Sequence, residues 1–81
     1  MTRKIPAAQS DDWERALRGV DFPISKLGLI RDVRENGGID HEVIATIEKL
    51  RNDGWDSQDE LVADIRAQYV DDGFDSAALP V

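Results

Sequence analysis

Apolar residues along this chain recur at helical spacing, three and four positions apart, rather than in alternation. Trp13, Ala16, Leu17 and Val20 make one stripe, and Leu27, Ile30 and Val33 a second. Val43, Ile44, Ile47 and Leu50 make a third, and Leu61, Val62, Ile65 and Tyr69 a fourth. That spacing lines one face of an α-helix, so four short helices are predicted. Their starts are signalled independently. Ser25 and Asp40 each stand between apolar residues placed for a hydrophobic staple, Ile24 with Leu29 and Ile39 with Ile44. Ser57 with Glu60 reads as a capping box, and Ser10 or Asp11 would cap the first helix. Gly19, Gly37-Gly38, Gly54 and Gly73 stand where a left-handed residue closes a helix.

The expected fold is all-α: a compact bundle of four short helices over residues 10–74, with a flexible N-terminus at 1–9 and a short flexible C-terminal tail at 75–81. The expected core joins Phe22, Leu27, Ile30, Ile44, Ile47, Leu61 and Ile65 to Trp13 and Trp55. In so short a chain the two tryptophans are needed for their area, which favours the core over an exposed stacking platform.

One sequence echo tests these boundaries. Asn52-Asp53-Gly54-Trp55-Asp56-Ser57 returns as Asp71-Asp72-Gly73-Phe74-Asp75-Ser76. A helix-loop-helix calcium site needs oxygen ligands at positions one, three and five before its glycine. Counting back from Gly54 gives Asp53, Arg51 and Lys49, and from Gly73 gives Asp72, Val70 and Gln68, so neither segment qualifies. Both read better as a helix stop, an aromatic turned inward and a helix start. The second start meets Pro80, which ends any new helix within a turn.

Length and charge limit the function. The 81 residues make one domain, and with no cysteine the fold rests on packed side chains without disulfides or thiolate-bound metal. A reducing cytoplasm is the expected setting. The N-terminal Met-Thr-Arg-Lys lacks an apolar stretch behind it, and no run approaches the ~20 apolar residues of a spanning helix, so a soluble, unprocessed protein with no membrane role is expected. The net charge is −7. Residues 1–40 carry seven cations and seven anions, whereas 41–81 carry only Lys49, Arg51 and Arg66 against ten carboxylates. A surface of that sign repels phosphate.

Three segments, Leu-Arg-Gly-Val-Asp-Phe-Pro-Ile-Ser-Lys at 17–26, residues 29–44 with their Gly-Gly-Ile-Asp, and Leu-Arg-Asn-Asp-Gly-Trp-Asp-Ser at 50–57, together resemble the bacterial domain-of-unknown-function family 2795. The resemblance spans about residues 13–66, and Phe22-Pro23 with the aromatic Trp55 are its more specific parts. The chain departs from the family pattern at Arg51, where a proline is usual, and at Trp55, where tyrosine is usual. The resemblance implies a small soluble helical domain and supplies no catalytic or binding residues.

Candidate chemistry is sparse. His41 is the only histidine, and its neighbours Asp40 and Glu42 suggest an acid–base pair, but adjacent helical residues point in different directions. With no nucleophile–base set, phosphate loop or metal spacing, the chain is not expected to be an enzyme or to hold a cofactor or metal. Helices two and three have the turn of a helix-turn-helix, with Arg31, Arg34, Lys49 and Arg51 as possible phosphate contacts. The would-be reading helix, however, opens on Asp40-His41-Glu42. Asp71 and Asp72 sit where a helix dipole disfavours anions, and Glu60 and Asp64 are like charges four apart.

Arrangements unhelpful to the fold point to a partner. The favoured expectation is a small non-catalytic acidic interaction module that binds a basic surface on a protein through Glu60, Asp64, Asp71, Asp72 and Asp75, as a monomer or weak homodimer. Two alternatives are an acidic, nucleic-acid-mimicking inhibitor of a DNA- or RNA-binding protein and a weak helix-turn-helix DNA binder.

Overall fold

Each apolar stripe folds as a helix. The computed structural model describes residues 6–37 and 40–81. The order is α1 (Ser10–Leu17), β1 (Ile24–Ser25), α2 (Lys26–Asn36), α3 (His41–Lys49), β2 (Gly54–Trp55) and α4 (Gln58–Asp71), followed by a 3-10 turn at Ser76–Ala78. The fold is the predicted small helical bundle with one addition, an antiparallel pairing of Ile24 with Trp55 and Ser25 with Gly54.

The pairing corrects the reading of Gly54. Helix α3 already ends at Lys49, so Gly54 closes nothing. It lies across from Ser25, where a Cβ would stand 3.0 Å from the Ile24 carbonyl oxygen. Gly19, Gly37 and Gly73 do have positive φ, while Gly38 and Ile39 lie outside the described residues.

The caps are mostly those predicted. Ser25 Oγ accepts from the Gly28 amide at 3.1 Å, and Asp40 Oδ1 from the Glu42 amide at 2.8 Å. Ser57 Oγ accepts from the Glu60 amide at 3.3 Å, but the Glu60 carboxylate reaches one residue beyond the cap, to the Asp56 amide at 3.0 Å. Helix α1 begins a residue early: its cap is Gln9, whose amide donates to Asp12 Oδ2 at 2.8 Å, so neither Ser10 nor Asp11 serves. At its other end, Asn36 Nδ2 donates to the Arg15 and Ala16 carbonyls.

Trp13, Ile47, Trp55, Leu61 and Ile65 are buried together as expected. Phe22, Ile30 and Ile44 pack at the edge of the core, only partly buried. Leu27 is the clear miss, 81% exposed, while Leu29 and Val33 are fully buried. Two residues turn a helix through ~200°, so a face centred on Leu29 and Val33 puts Leu27 outward.

At both ends of the described residues the chain makes contacts with the bundle, within segments expected to be flexible. Gly73, at φ +95°, lets the Phe74 amide donate to the Tyr69 carbonyl and its own amide to that of Val70, each at 3.0 Å. These are the paired bonds of a Schellman motif, and its hydrophobic contact is present as Phe74 meeting Tyr69 edge-on at 5.1 Å. Asp75 Oδ1 accepts from the Ala77 amide at 3.0 Å. Pro80 is buried, and Arg66 Nη1 donates to the Val81 carbonyl. Proline forbids a long helix here but not a single 3-10 turn, so residues 75–81 dock. At the other end, Ala8 is buried and the Ala7 and Ala8 amides donate to Glu42. The N-terminal segment is therefore held from residue 7 onward, and residues 1–5 lie outside the described residues.

Ile47→Ala or Leu29→Ala should cost ~2–5 kcal/mol, since each empties a fully buried site. Leu27→Ala should stay within ~0.5 kcal/mol. Denaturant titrations of the three variants separate the inward from the outward face of α2.

Candidate interaction surface

The acidic residues singled out by sequence gather on and around α4, but most are occupied by the fold. Glu60 is exposed and completes the N-terminal cap described above. Asp64 is half-buried, and its Oδ2 accepts from Trp55 Nε1 at 2.6 Å and also from Asn52 Nδ2. It ties the α3–α4 connection down onto α4. Asp72 accepts from Lys49 Nζ at 3.2 Å and from Gln68 Nε2 at 3.1 Å. The expectation that Asp72 is unhelpful to the fold is therefore wrong: the helix dipole disfavours it, and a cation from α3 offsets that cost. Asp75 caps the 3-10 turn.

Among the five, only Asp71 has neither an ion pair nor a side-chain hydrogen bond among the described residues. Asp59, in the first turn of α4, shares that state. The outward face of the helix runs through Asp59, Glu60, Ala63, Arg66, Ala67, Val70 and Asp71, all exposed. Sequence reasoning missed its apolar part. Val70 is 51% exposed and Ala63 and Ala67 stand in line with it, a period visible in the sequence but masked by attention to charge.

Two depressions flank this ridge. A notch of about 210 Å³ lies between Leu50, Arg51 and Asn52 on one wall and Asp64, Ala67, Gln68 and Asp71 on the other. An apolar groove of about 380 Å³ lies between Arg66, Ala67, Val70 and Asp71 of α4 and Ser76 and Leu79 of the C-terminal segment. Asp71 borders both.

The cations named for a helix-turn-helix do not form a free cluster. Arg34 faces Glu48 at 3.6 Å, Lys49 is taken by Asp72, and Arg31 lies 4.0 Å from Asp32. His41 is exposed at the start of α3. Among the described residues no group of three or more metal-ligating side chains gathers, and no helix is long and apolar enough to cross a membrane.

Beneath α4 runs a chain of buried polar contacts that sequence reasoning did not find. Trp13 Nε1 donates to Tyr69 Oη at 2.9 Å, and that hydroxyl donates to Glu42 Oε2 at 3.0 Å. Glu42 also accepts from the Ala7 and Ala8 amides at 3.1 and 2.9 Å. Burial, with the neighbouring Glu42 carboxylate adding to it, pushes the Tyr69 phenol up from 10.0 to about 12, against a smaller downward pull from Trp13. Comparisons with protein-family models, curated proteins and solved structures return no match.

A phenol whose pKa rises on folding holds its proton more tightly in the native state. Stability is therefore complete below about pH 10 and falls as pH climbs from there through about 12. Tyr69 is the only tyrosine, so tyrosinate absorbance reads it alone. Glu42→Gln should bring the midpoint down while burial keeps it above 10.0. Asp64→Ala should cost ~1–3 kcal/mol in a denaturant titration, because it leaves the Trp55 indole N–H without its acceptor.

Proposed function

We propose that this chain is a non-catalytic, cytoplasmic interaction module that presents the outward face of α4 to a basic surface on a protein partner. The observation that carries this reading is the charge left over once the fold has used what it needs. Residues 57–81 hold six carboxylates and one cation, Arg66, whose guanidinium is turned to the Val81 carbonyl. Asp59 and Asp71 remain solvent-facing at opposite ends of one helix, in no ion pair among the described residues. Such a face attracts cations over a Debye length and repels phosphate.

The pairing of Arg34 with Glu48 and of Lys49 with Asp72 weighs against DNA reading. The nucleic-acid-mimic alternative is weakened because Glu42, Asp64 and Asp72 are spent within the fold and leave a short anionic row. The resemblance of residues 13–66 to domain-of-unknown-function family 2795 fits a small helical domain and adds no site residue.

Reversing Asp59 and Asp71 to Lys should leave the fold intact and weaken capture of partners from native cells by roughly tenfold, and the wild-type association should weaken with salt. Asp72 is unsuitable for this test because its reversal would face Lys49. Capture that ignores both the reversal and the salt would assign these residues to solubility alone.

A further inference from the structure

The acidic face of α4 sets the sign of a partner's charge but not the side chain it inserts. The groove beside α4 is the strongest remaining feature. Its walls are Val70 and Ala67 on the helix and Leu79 on the docked C-terminal segment, with Asp71, Ser76 and Arg66, whose guanidinium is bonded to the Val81 carbonyl, on the rim. Val70 is half exposed although the helix buries Leu61, Ile65 and Tyr69 on its other side. Its exposure therefore does nothing for the core. The groove's second wall exists only because the C-terminal segment is held in place by the Phe74–Tyr69 contact, the Asp75 cap and the Arg66–Val81 bond. At about 380 Å³ the groove suits one or two large aliphatic or aromatic side chains rather than a whole helix face.

Charge decides among the possible occupants. A second copy of this chain, using the same patch on both sides, would set Asp71 and the adjoining acidic helix against themselves, each chain carrying a net charge of −7. An anionic lipid surface and a nucleic acid are repelled for the same reason. A cationic protein segment gains on both counts: its apolar anchor leaves water and its charges meet Asp71, which has no ion pair among the described residues.

We propose that this groove takes a bulky apolar side chain from a partner's linear segment, with Lys or Arg on either side of that anchor lying against Asp71 and the α4 face. The proposal rests on the reading of α4 as an acidic docking face and adds the apolar anchor to it. The apolar contact would hold the complex, and the charges would steer its approach.

The test uses the full chain and a displayed library of random short peptides, with binding of the selected peptides mapped on amide resonances. Selected peptides should combine Lys or Arg with one large apolar residue and should shift Val70, Asp71, Ser76 and Leu79. Val70→Asp, at an exposed position that leaves the core untouched, should cut their affinity about tenfold, while Asp71→Lys should cut it more at low salt than at high. Cationic peptides that bind the α4 face but ignore Val70→Asp would overturn the groove and leave the acidic reading standing. Selection of neutral or acidic peptides, or none above an unrelated control protein, would overturn both. Binding that appears only after residues 1–5 are removed would overturn the external partner in favour of the chain's own Arg3-Lys4-Ile5 as the occupant.

Discussion

One chain of hydrogen bonds ending on a single carboxylate ties three helices and the N-terminal segment together. Burying Trp13 and Tyr69 gives the small core its two largest fully buried side chains, but each brings a polar group that loses water on the way in. The indole N–H finds the phenol oxygen, and the phenol proton then needs an acceptor of its own. Glu42 supplies it from the first turn of α3, where the helix N-terminus favours negative charge. Its remaining capacity is filled by the Ala7 and Ala8 amides. The heights of α1, α3 and α4 relative to one another follow from this chain of bonds, because a slip of any helix leaves a buried group unpaired.

The same economy governs the other acids. With no cysteine to cross-link it, the domain uses carboxylates as tethers: Asp64 fastens Trp55, Asp72 takes Lys49 from α3, and Asp40, Asp75 and Glu60 satisfy amides at element starts. A formal charge of −7 therefore overstates the anionic surface on offer to a partner. On α4 what remains is Asp59 and Asp71, the latter next to the one place where a large aliphatic side chain of that helix is left in water.

Features set by local periodicity were legible in the sequence, and those set by tertiary geometry were not. The four helices, their Ser25, Asp40 and Ser57 caps and the burial of Ile47, Leu61 and Ile65 follow from spacing and cap chemistry alone. The phase of α2 was misjudged because Leu27 and Leu29 are chemically equal, and only the neighbours decide which one turns inward. Gly54 was misjudged because its role, close approach to the Ile24 carbonyl, depends on a segment about thirty residues away in sequence. Of the five candidate partner residues, Asp64 and Asp72 could not be recognised as tethers without knowing where Trp55 and Lys49 lie. Glu42 drew notice only as a neighbour of His41, since nothing local links it to a tyrosine at position 69.

The repeated Asp-Gly-aromatic-Asp-Ser string shows the same division within one chain. In the first copy the glycine lies five residues beyond the end of α3, so it is drawn into an extended pairing and the indole of Trp55 is fixed by Asp64. In the second the glycine follows the last turn of α4 directly, so it takes a left-handed conformation and folds Phe74 back onto Tyr69. That reversal delivers Asp75 to cap a short turn, and the turn carries Leu79 alongside Val70. Identical letters thus give a strand in one place and a reversal in the other, according to their distance from the preceding helix end. The reversal supplies the second wall of the groove, so the docking proposal depends on Phe74 as much as on any acid at its rim.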